Sequence, residues 1–448
     1  RATDKLKLGA NVLFATVNQD VYSEGTSYSS PFYTSRNAVV PSDPVYNEDG
    51  SWNRDFIRNS DRNPALAATY DYQREYVTRT FNTIYGEYEF IKDLKFKSTL
   101  SYDYVNTKGN DWKDPRTSNG DDINGGMSKK FYEYKKMVWA NQLSYKMSIA
   151  ADHHLDALAG YEIDDQYRDY LSGYATNFAT YDKNQISNGM KTESVGGSDT
   201  RTRMVSYLFR LNYDYKNKYY LGGSFRMDGS SRFLKDNRWG SFWSISAAWR
   251  VIEESFMDSV KDWLTDLKIR ASYGLVGNDR IGGTRFPYLT TVTSTGDGGW
   301  GTGGIREGQL GTDGLVWEKA KKFDVGVDIN LFNNKFSLTV DYFKDRRTDI
   351  FQQRVTVPEE AGFISMPWAN TGSMESWGMD GNFSFKQDFG KNWRATIRGN
   401  FTFSRNKVLH YEESDIHYSY QSRIGYPSGV QRGYTVSYTH LRAHETGR

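Results

Sequence analysis

The chain has 448 residues, with 57 basic against 55 acidic residues and a formal net charge of +2. Lys and Arg are interspersed with Asp and Glu, so charge gives no reason to expect a nucleic-acid partner. Cysteine is absent, which excludes a disulfide scaffold and a thiolate metal site. Mean hydropathy is −0.73, and no run approaches the roughly 18 apolar residues of a membrane helix, so helical spans are excluded as well. A membrane β-barrel passes that test, because only alternate strand residues must be apolar. The outlying figure is the aromatic content, 16%, with 33 Tyr, 25 Phe and 12 Trp.

The chain opens on RATDKLKLGANVLF, which already alternates like a strand. The expectation is a piece of a longer protein, so the lack of a leader at Arg1 carries no weight about compartment. Alternating segments then recur at Lys5–Thr16, Val77–Phe90, Leu94–Val105, Tyr134–Met147, Leu155–Tyr167, Thr202–Tyr215, Tyr219–Asp228 and Trp239–Arg250. They continue at Leu267–Leu275, Lys322–Leu331, Lys335–Lys344, Gly372–Lys386 and Trp393–Arg405. That is roughly thirteen strands, many near the 9–11 residues that a tilted strand needs to cross a bilayer. In Thr202–Tyr215, Tyr207, Phe209, Leu211 and Tyr213 alternate with Arg210, Asn212 and Asp214; Arg226 and Asp228 continue the polar set after the turn. In the later pair, Phe323, Val325, Val327 and Ile329 alternate with Asp324, Gly326 and Asp328. After FNNK, Phe336, Leu338, Val340 and Tyr342 alternate with Ser337, Thr339 and Asp341.

The connections alternate too. Short turns fall at Lys92–Asp93, Lys216–Lys218, Asn333–Asn334 and Phe389–Asn392. Long polar loops are expected at about Val17–Tyr76, Asn106–Phe131, Leu171–Asp199, Val276–Lys321 and Arg346–Thr371. Short on one side and long on the other is the arrangement of an outer-membrane barrel. On the short side, Val251–Asp266 predicts a brief amphipathic helix, with Ile252, Phe256, Val260 and Trp263 near helical spacing. Alternation alone also fits a soluble sandwich or propeller. Strand length, aromatics clustered at strand ends (Tyr213, Tyr215, Tyr219, Tyr220) and the lack of a fixed repeat period favour the membrane. Phe209, Leu211, Val325, Val327, Leu338 and Val340 are then expected to face lipid, and Arg210, Asn212, Asp214, Arg226 and Asp228 the lumen.

Several blocks resemble the barrel core of SusC/RagA-type TonB-dependent transporters. They are YKNKYYLGGSFRMDGSSRFLKDNRWGSFWSISAAWRVIEESFM, LTDLKIRASYGLVGNDRIG, VWEKAKKFDVGVDINLFNNKFSLTVDYFKDRRTDIF and NTGSMESWGMDGNFSF, in the family's order. The likeness covers most of Lys5–Lys407. It implies a plugged 22-stranded barrel in the outer membrane of Bacteroidota-type bacteria. It also implies import of glycan oligosaccharides or peptides, a SusD-like surface lipoprotein as lid, and energy from TonB–ExbB–ExbD acting on the plug. No cofactor and no bond chemistry are implied. Neither plug nor TonB box is recognisable, so the expected fold is an all-β, antiparallel, open partial barrel over residues 1–408, with 409–434 starting a further extracellular loop. Two open edges and an uncovered apolar face predict that the isolated chain aggregates or inserts poorly. The alternatives of other classes are a passive porin or structural barrel, and a soluble carbohydrate-binding β-protein or enzyme.

The end, TVSYTHLRAHETGR (435–448), breaks every pattern. His440 and His444 with Glu445 have zinc-like spacing on a helix. Yet Val436–Thr446 can be encoded by a string resembling the transposase end and adapter of a common sequencing library, so this stretch is expected not to be native protein. Elsewhere, His153 and His154 are expected as solvated turn residues, and His410 and His417 lie in a polar stretch without partners. No serine has a histidine at a recognisable spacing. The glycine-rich Gly296–Gly314 lacks the Lys-Ser/Thr ending of a phosphate loop and is expected as a surface loop, with Trp300 a candidate platform for a sugar ring. Trp368, on the long loop expected before Thr371, is a second such aromatic, with packing of that loop against the barrel rim the equal alternative. Asp121, Asp122 and Asn124 could offer oxygens to calcium, but without EF-hand spacing a solvated acidic loop is favoured.

Overall fold

The computed structural model describes residues 3–22, 30–37, 39–56, 62–180, 185–282, 285–297, 303–390, 392–416 and 418–432. Nearly all regular structure in them is strand. In chain order come β1 (Leu6–Val21), two short helices α1 (Pro31–Asn37) and α2 (Pro64–Tyr70), β2 (Tyr72–Ile91), β3 (Leu94–Lys113), β4 (Gly126–Ala150), β5 (His153–Phe178) and β6 (Gly189–Tyr215). Then follow β7 (Tyr219–Ser230), β8 (Trp239–Arg250), β9 (Leu264–Asn278), β10 (Val292–Asp297), β11 (Gly303–Glu307), β12 (Glu318–Leu331), β13 (Phe336–Gln353), β14 (Trp368–Phe389) and β15 (Trp393–His410). Thirteen strands form one sheet in the order β1 to β9, then β12 to β15; β10 and β11 pair apart as a hairpin. Neighbours in the sheet are antiparallel, and β1 and β15 are its two terminal strands, not paired to each other. The expected all-β, open antiparallel arrangement is what the chain forms.

The chain divides into two compact units, 1–143 with 160–205 and 144–159 with 206–448. In the first, α2 is started by Asn63, whose side chain accepts from the amides of Ala65 and Leu66, with Pro64 at the first helical position. In the second, Asn and Lys residues take the left-handed backbone that tight reversals need. Lys216 and Asn217 have φ of 57° and 53°, and Asn333 and Asn334 have φ of 55° and 64°.

Several strands run further than alternation predicts. β4 begins at Gly126 rather than Tyr134, β5 continues to Phe178, β6 begins at Gly189, and β13 continues to Gln353. The loops expected at Asn106–Phe131, Leu171–Asp199 and Arg346–Thr371 are correspondingly short. At about 3.4 Å per residue the 27 residues of β6 span roughly 90 Å, far beyond a bilayer. Where a strand has water on both faces the hydrogen-bonded ladder persists but the apolar alternation does not, so the pattern hides the extension. The Val251–Asp266 helix is also corrected. Only 3₁₀ turns form, at Val251–Glu253 and Ser255–Val260, and Leu264 already begins β9. Glu254 between them is extended, held there by bonds to Lys218, Tyr219 and Trp249. Ile252 is buried, whereas Phe256 and Trp263 are exposed, so the four residues do not share one apolar face.

Every fully buried hydrophobic residue described lies in a loop, in a helix or close to a strand end, such as Leu66, Trp112, Met127, Phe178, Phe233, Trp317 and Phe351. Mid-strand apolar residues stay open: Val12 is 76% exposed and Ile245 58%. No second layer covers the sheet among the described residues. A soluble sandwich would bury one face of each strand beneath another sheet.

Candidate functional site

The register sorts side chains into two faces. On one, Val327 lies opposite Val340, Val325 opposite Tyr342 and Ile329 opposite Leu338. The same face runs through Ile269, Ala271 and Tyr273 of β9 to Trp249, Ala247 and Ile245 of β8, and on to Leu221 and Phe225 of β7. Leu211 borders one shallow hollow with Leu221, Ile245, Ala271 and Phe323, so it belongs to this face, as does Phe209 two residues earlier in the strand. Toward β15 the face continues as Gly381, Phe383 and Phe385, then Phe401 and Ile397. The sequence-predicted Phe209, Leu211, Val325, Val327, Leu338 and Val340 thus share one surface.

The other face is polar and internally bonded. Gly326 of β12 stands between Arg270 of β9 and Asp341 of β13. A Cβ there would lie 2.1 Å from the Asp341 carboxylate and 2.7 Å from the Arg270 guanidinium carbon. The missing side chain lets Arg270 reach across the strand. Its Nε donates to Asp328 at 2.9 Å and an Nη to Asp341 at 2.9 Å, and the Thr339 hydroxyl donates to Asp328 at 3.1 Å. Such partly buried, charge-assisted bonds are stronger than neutral ones. Asn212 is on this side, because its Oδ1 lies 3.2 Å from where a Cβ on Gly222 would stand, beside Ser246. Arg226 donates to Asp228 at 2.7 Å and to Ser206 at 2.9 Å. Asp214 accepts from the Asn217 amide and so braces the following turn; Arg210 is exposed.

At the turn-bearing end aromatic rings gather. Tyr215 and Tyr219 stack at 6.3 Å, and His153 lies 4.7 Å from Tyr215 and bonds the Tyr213 hydroxyl at 2.7 Å. His154 bonds Ser148. Neither histidine is a free turn residue, contrary to expectation, because the Tyr213–Tyr219 cluster supplies His153 with partners from a neighbouring strand. Glu254 collects Lys218 at 2.5 Å, the Tyr219 hydroxyl at 2.5 Å and the Trp249 indole at 3.0 Å. The Lys218 ammonium, then the Tyr219 hydroxyl, hold its carboxyl below the ordinary value.

The loop-bearing end is built differently. In the first unit Trp112, Met127 and Phe178 form a buried cluster, with the Trp112 and Phe178 rings edge to face at 5.0 Å. Asp71, just after α2, accepts from the Asp114 amide, the Thr117 hydroxyl and the Asn119 amide at 2.8 to 2.9 Å. Burial nevertheless pushes its pKa up. In the second unit Phe233 packs against Trp317 and Phe351. Beneath them Glu318, 6% exposed, accepts from Asn278, Arg347 and the Phe351 amide. Neither Glu318 nor Trp317 was singled out by the sequence, which offers only VWEK before a strand. After β15, Glu412 accepts from Arg354 at 2.8 Å, the Thr356 hydroxyl at 2.6 Å and the amides of Val355 and Thr356. Partial burial works against its charge, but the Thr356 and Arg354 bonds prevail and lower its pKa to about 2.

The remaining candidates fare unequally. Trp368 is not on a loop: it opens β14, half-buried, with its ring 3.4 Å from where a Cβ on Gly282 would stand. The strand reaches it because residues 351–353 of β13 pair with 368–370. Trp300, His417 and the 435–448 stretch with His440, His444 and Glu445 lie outside the described residues. Asp121 pairs with Arg54, and Asn124 donates to Asn177 at 3.0 Å. Among the described residues no group of three or more His, Asp or Glu could hold a metal ion. His410 is the last residue of β15 rather than beyond it, and its Nδ1 donates to the Thr371 carbonyl.

Comparison with known proteins agrees with this architecture. Residues 11–438 match the family described as TonB dependent receptor-like, beta-barrel. TonB-dependent receptor P39 of Formosa agariphila is 31% identical over 406 residues, which cover 89% of this chain and 37% of that protein. TonB-dependent receptor SusC of Bacteroides thetaiotaomicron is 32% identical over 257 residues, covering 55% and 24%. The solved RagAB peptide importer in its closed-closed state superposes with a TM-score of 0.83 at 23% identity, covering 95% of this chain and 48% of the matched chain. The chain therefore spans less than half the length of these relatives. It belongs to the TonB-dependent receptor-like β-barrel family, whose members are outer-membrane proteins.

Proposed function

We propose that this chain forms part of the wall of an energy-coupled importer that carries glycan oligosaccharides, or peptides, across the bacterial outer membrane. The observation that carries the reading is the single sheet with one uncovered apolar face and one bonded polar face. In it Phe209, Leu211, Val325, Val327, Leu338 and Val340 contact hydrocarbon, while Arg210, Asn212, Asp214, Arg226 and Asp228 belong to the lumen side. Trp300 and Trp368 supply aromatic rings to a ligand at the loop-bearing end. A SusD-like lipoprotein covers that end, and TonB–ExbB–ExbD acts through a plug domain of the intact receptor. The mechanism is binding and gated passage, with no covalent step. The glycan reading rests on the resemblance of the sequence to SusC/RagA-type transporters; the RagAB likeness, a peptide importer by its own title, supports the fold only.

The test is nutrient uptake by cells carrying or lacking the receptor gene, with and without an uncoupler of the proton gradient. Loss of uptake of one glycan or peptide class on deletion, and equally on uncoupling, is the expected result. Uptake that survives uncoupling would make the protein a passive porin.

A further inference from the structure

We propose that the loop-side border of β12 to β15 holds a site for the phosphates of an outer-leaflet glycolipid, on the face whose apolar residues contact hydrocarbon. This rests on the assignment of that face to lipid in the importer reading, and adds a ligand that is not cargo. The register that lines up Val325, Tyr342, Met379 and Phe403 continues, two residues nearer the loops, to Phe323, Lys344, Trp377 and Arg405. Two residues further come Lys321, Arg346, Glu375 and Lys407. The apolar surface therefore ends in five cations and one carboxylate across four adjacent strands. On the opposite face at this height Lys322 has a carboxylate of its own, Asp345 at 2.8 Å.

The height fits a membrane border. Lys321 stands ten residues from Leu331 at the turn. At about 3.4 Å per residue and a tilt of about 45°, that is a rise of roughly 24 Å, against an apolar band of about 25 Å. Trp377, among the cations, is a residue that such borders favour. The border on the loop-bearing side is that of the outer leaflet, because the long loops of such barrels are extracellular. The protein does not neutralise the patch. Glu375 takes Lys344 at 3.2 Å. Arg405 lies over the Phe403 ring, 5.1 Å from its centre. Lys321, Arg346 and Lys407 are exposed and have no carboxylate partner among the described residues. Lys321 also lies directly opposite Arg346. Like charges so placed destabilise a strand pair, and a multivalent anion that bonds both removes the repulsion. The Arg346 guanidinium can hold a phosphate by two parallel N–H bonds, with the Lys321 and Lys407 ammonium groups as point charges on either side. A zwitterionic phospholipid would bring an ammonium of its own against five cations. The acyl chains of the glycolipid run down over Phe323, Tyr342, Met379 and Phe403, all exposed; an acidic protein partner would leave that surface bare.

The intact receptor is purified in detergent, stripped of bound lipid, checked for heat-modifiable migration and titrated with lipid A in mixed micelles, with binding read by native mass spectrometry. Lipid A is expected to bind about tenfold or more tightly than dephosphorylated lipid A. The triple variant Lys321→Gln, Arg346→Gln, Lys407→Gln changes exposed side chains only and should bind one lipid A fewer than wild type, whereas Lys322→Gln, on the opposite face, should match wild type. Phosphatidylglycerol is the competing probe. The proposal is overturned if lipid A does not bind, if the triple variant matches wild type, or if dephosphorylated lipid A or phosphatidylglycerol binds as well as lipid A. A triple variant that keeps lipid A and sheds a co-purifying acidic protein overturns it too, and makes the patch a protein interface. A spin label on Val327→Cys, read for oxygen contact in vesicles, separates this site from the reading beneath it. High contact without lipid A binding removes the site alone; low contact removes the lipid-facing assignment and the site with it.

Discussion

Leu100 and Trp112 sit on the same strand and, twelve residues apart in an unbroken register, on the same face. Leu100 is 37% exposed; Trp112 is 1% exposed, covered by Met127 and Phe178. An apolar side chain is left open in the middle of the strand and sealed under protein near its end. Hydrophobic burial follows the solvent, so the contrast marks where along β3 the surroundings change from hydrocarbon to water. The second unit repeats it, with Ile269 open on β9 and Trp317 and Phe351 buried beyond the strands' middles.

That contrast can be broken at either end. Trp112→Ala removes a core side chain and is expected to cost about 3–5 kcal/mol locally. Protease cutting between β3 and β4 should rise while heat-modifiable migration of the intact receptor stays normal; loss of both would mean that the cluster supports the whole sheet. In the middle, Leu211→Arg or Val327→Arg should cost about 2–4 kcal/mol if the site is near the bilayer midplane. Asn212→Arg on the polar face should cost much less. Refolding titrations into vesicles read both, and equal costs would remove the assignment of faces. On the polar face, Gly326→Val drives a side chain into Asp341 and Arg270 and is expected to cost about 1–3 kcal/mol, by the same titration. The smallest effect lies outside the sheet, at Glu412. Its pKa is depressed from 4.5 to about 2, so its contribution is complete above 4.5 and is lost as pH falls through about 2. Protection of the Val355 and Thr356 amides, taken relative to the intrinsic exchange rate at each pH, should fall over that window, and Glu412→Gln should show the lowered protection above it as well.

The turn-bearing end was legible in the sequence and the loop-bearing end was not. Leu94, Tyr215, Tyr219, Arg250, Leu331 and Trp393 bound strands where alternation and turn chemistry place them. Turn residues are local, and the apolar band stops close to them. At the other end β5 gains eleven residues beyond Tyr167, where residues such as Asp169 and Ser172 break the period while backbone pairing continues. The two faces were readable from alternation, as Val327 opposite Val340 illustrates. The Arg270–Asp328–Asp341 cluster was not, because it joins three strands and depends on Gly326 having no side chain. Asp71 was equally hidden, since only the fold sets it beside Asp114, Thr117 and Asn119.

Site-directed labelling reads the two faces directly: this chain carries no cysteine, and any elsewhere in the intact receptor is first replaced by serine. Single cysteines placed in turn at residues 323–330 of β12 in the intact receptor, Gly326 excepted because a side chain there meets Asp341 and Arg270, can carry a spin label, read for collision with oxygen, which concentrates in hydrocarbon, and with a water-soluble nickel chelate. A period of two is expected, with oxygen contact high at 323, 325, 327 and 329 and low at 324, 328 and 330. A flat profile, or both sets shielded from both reagents, would contradict it.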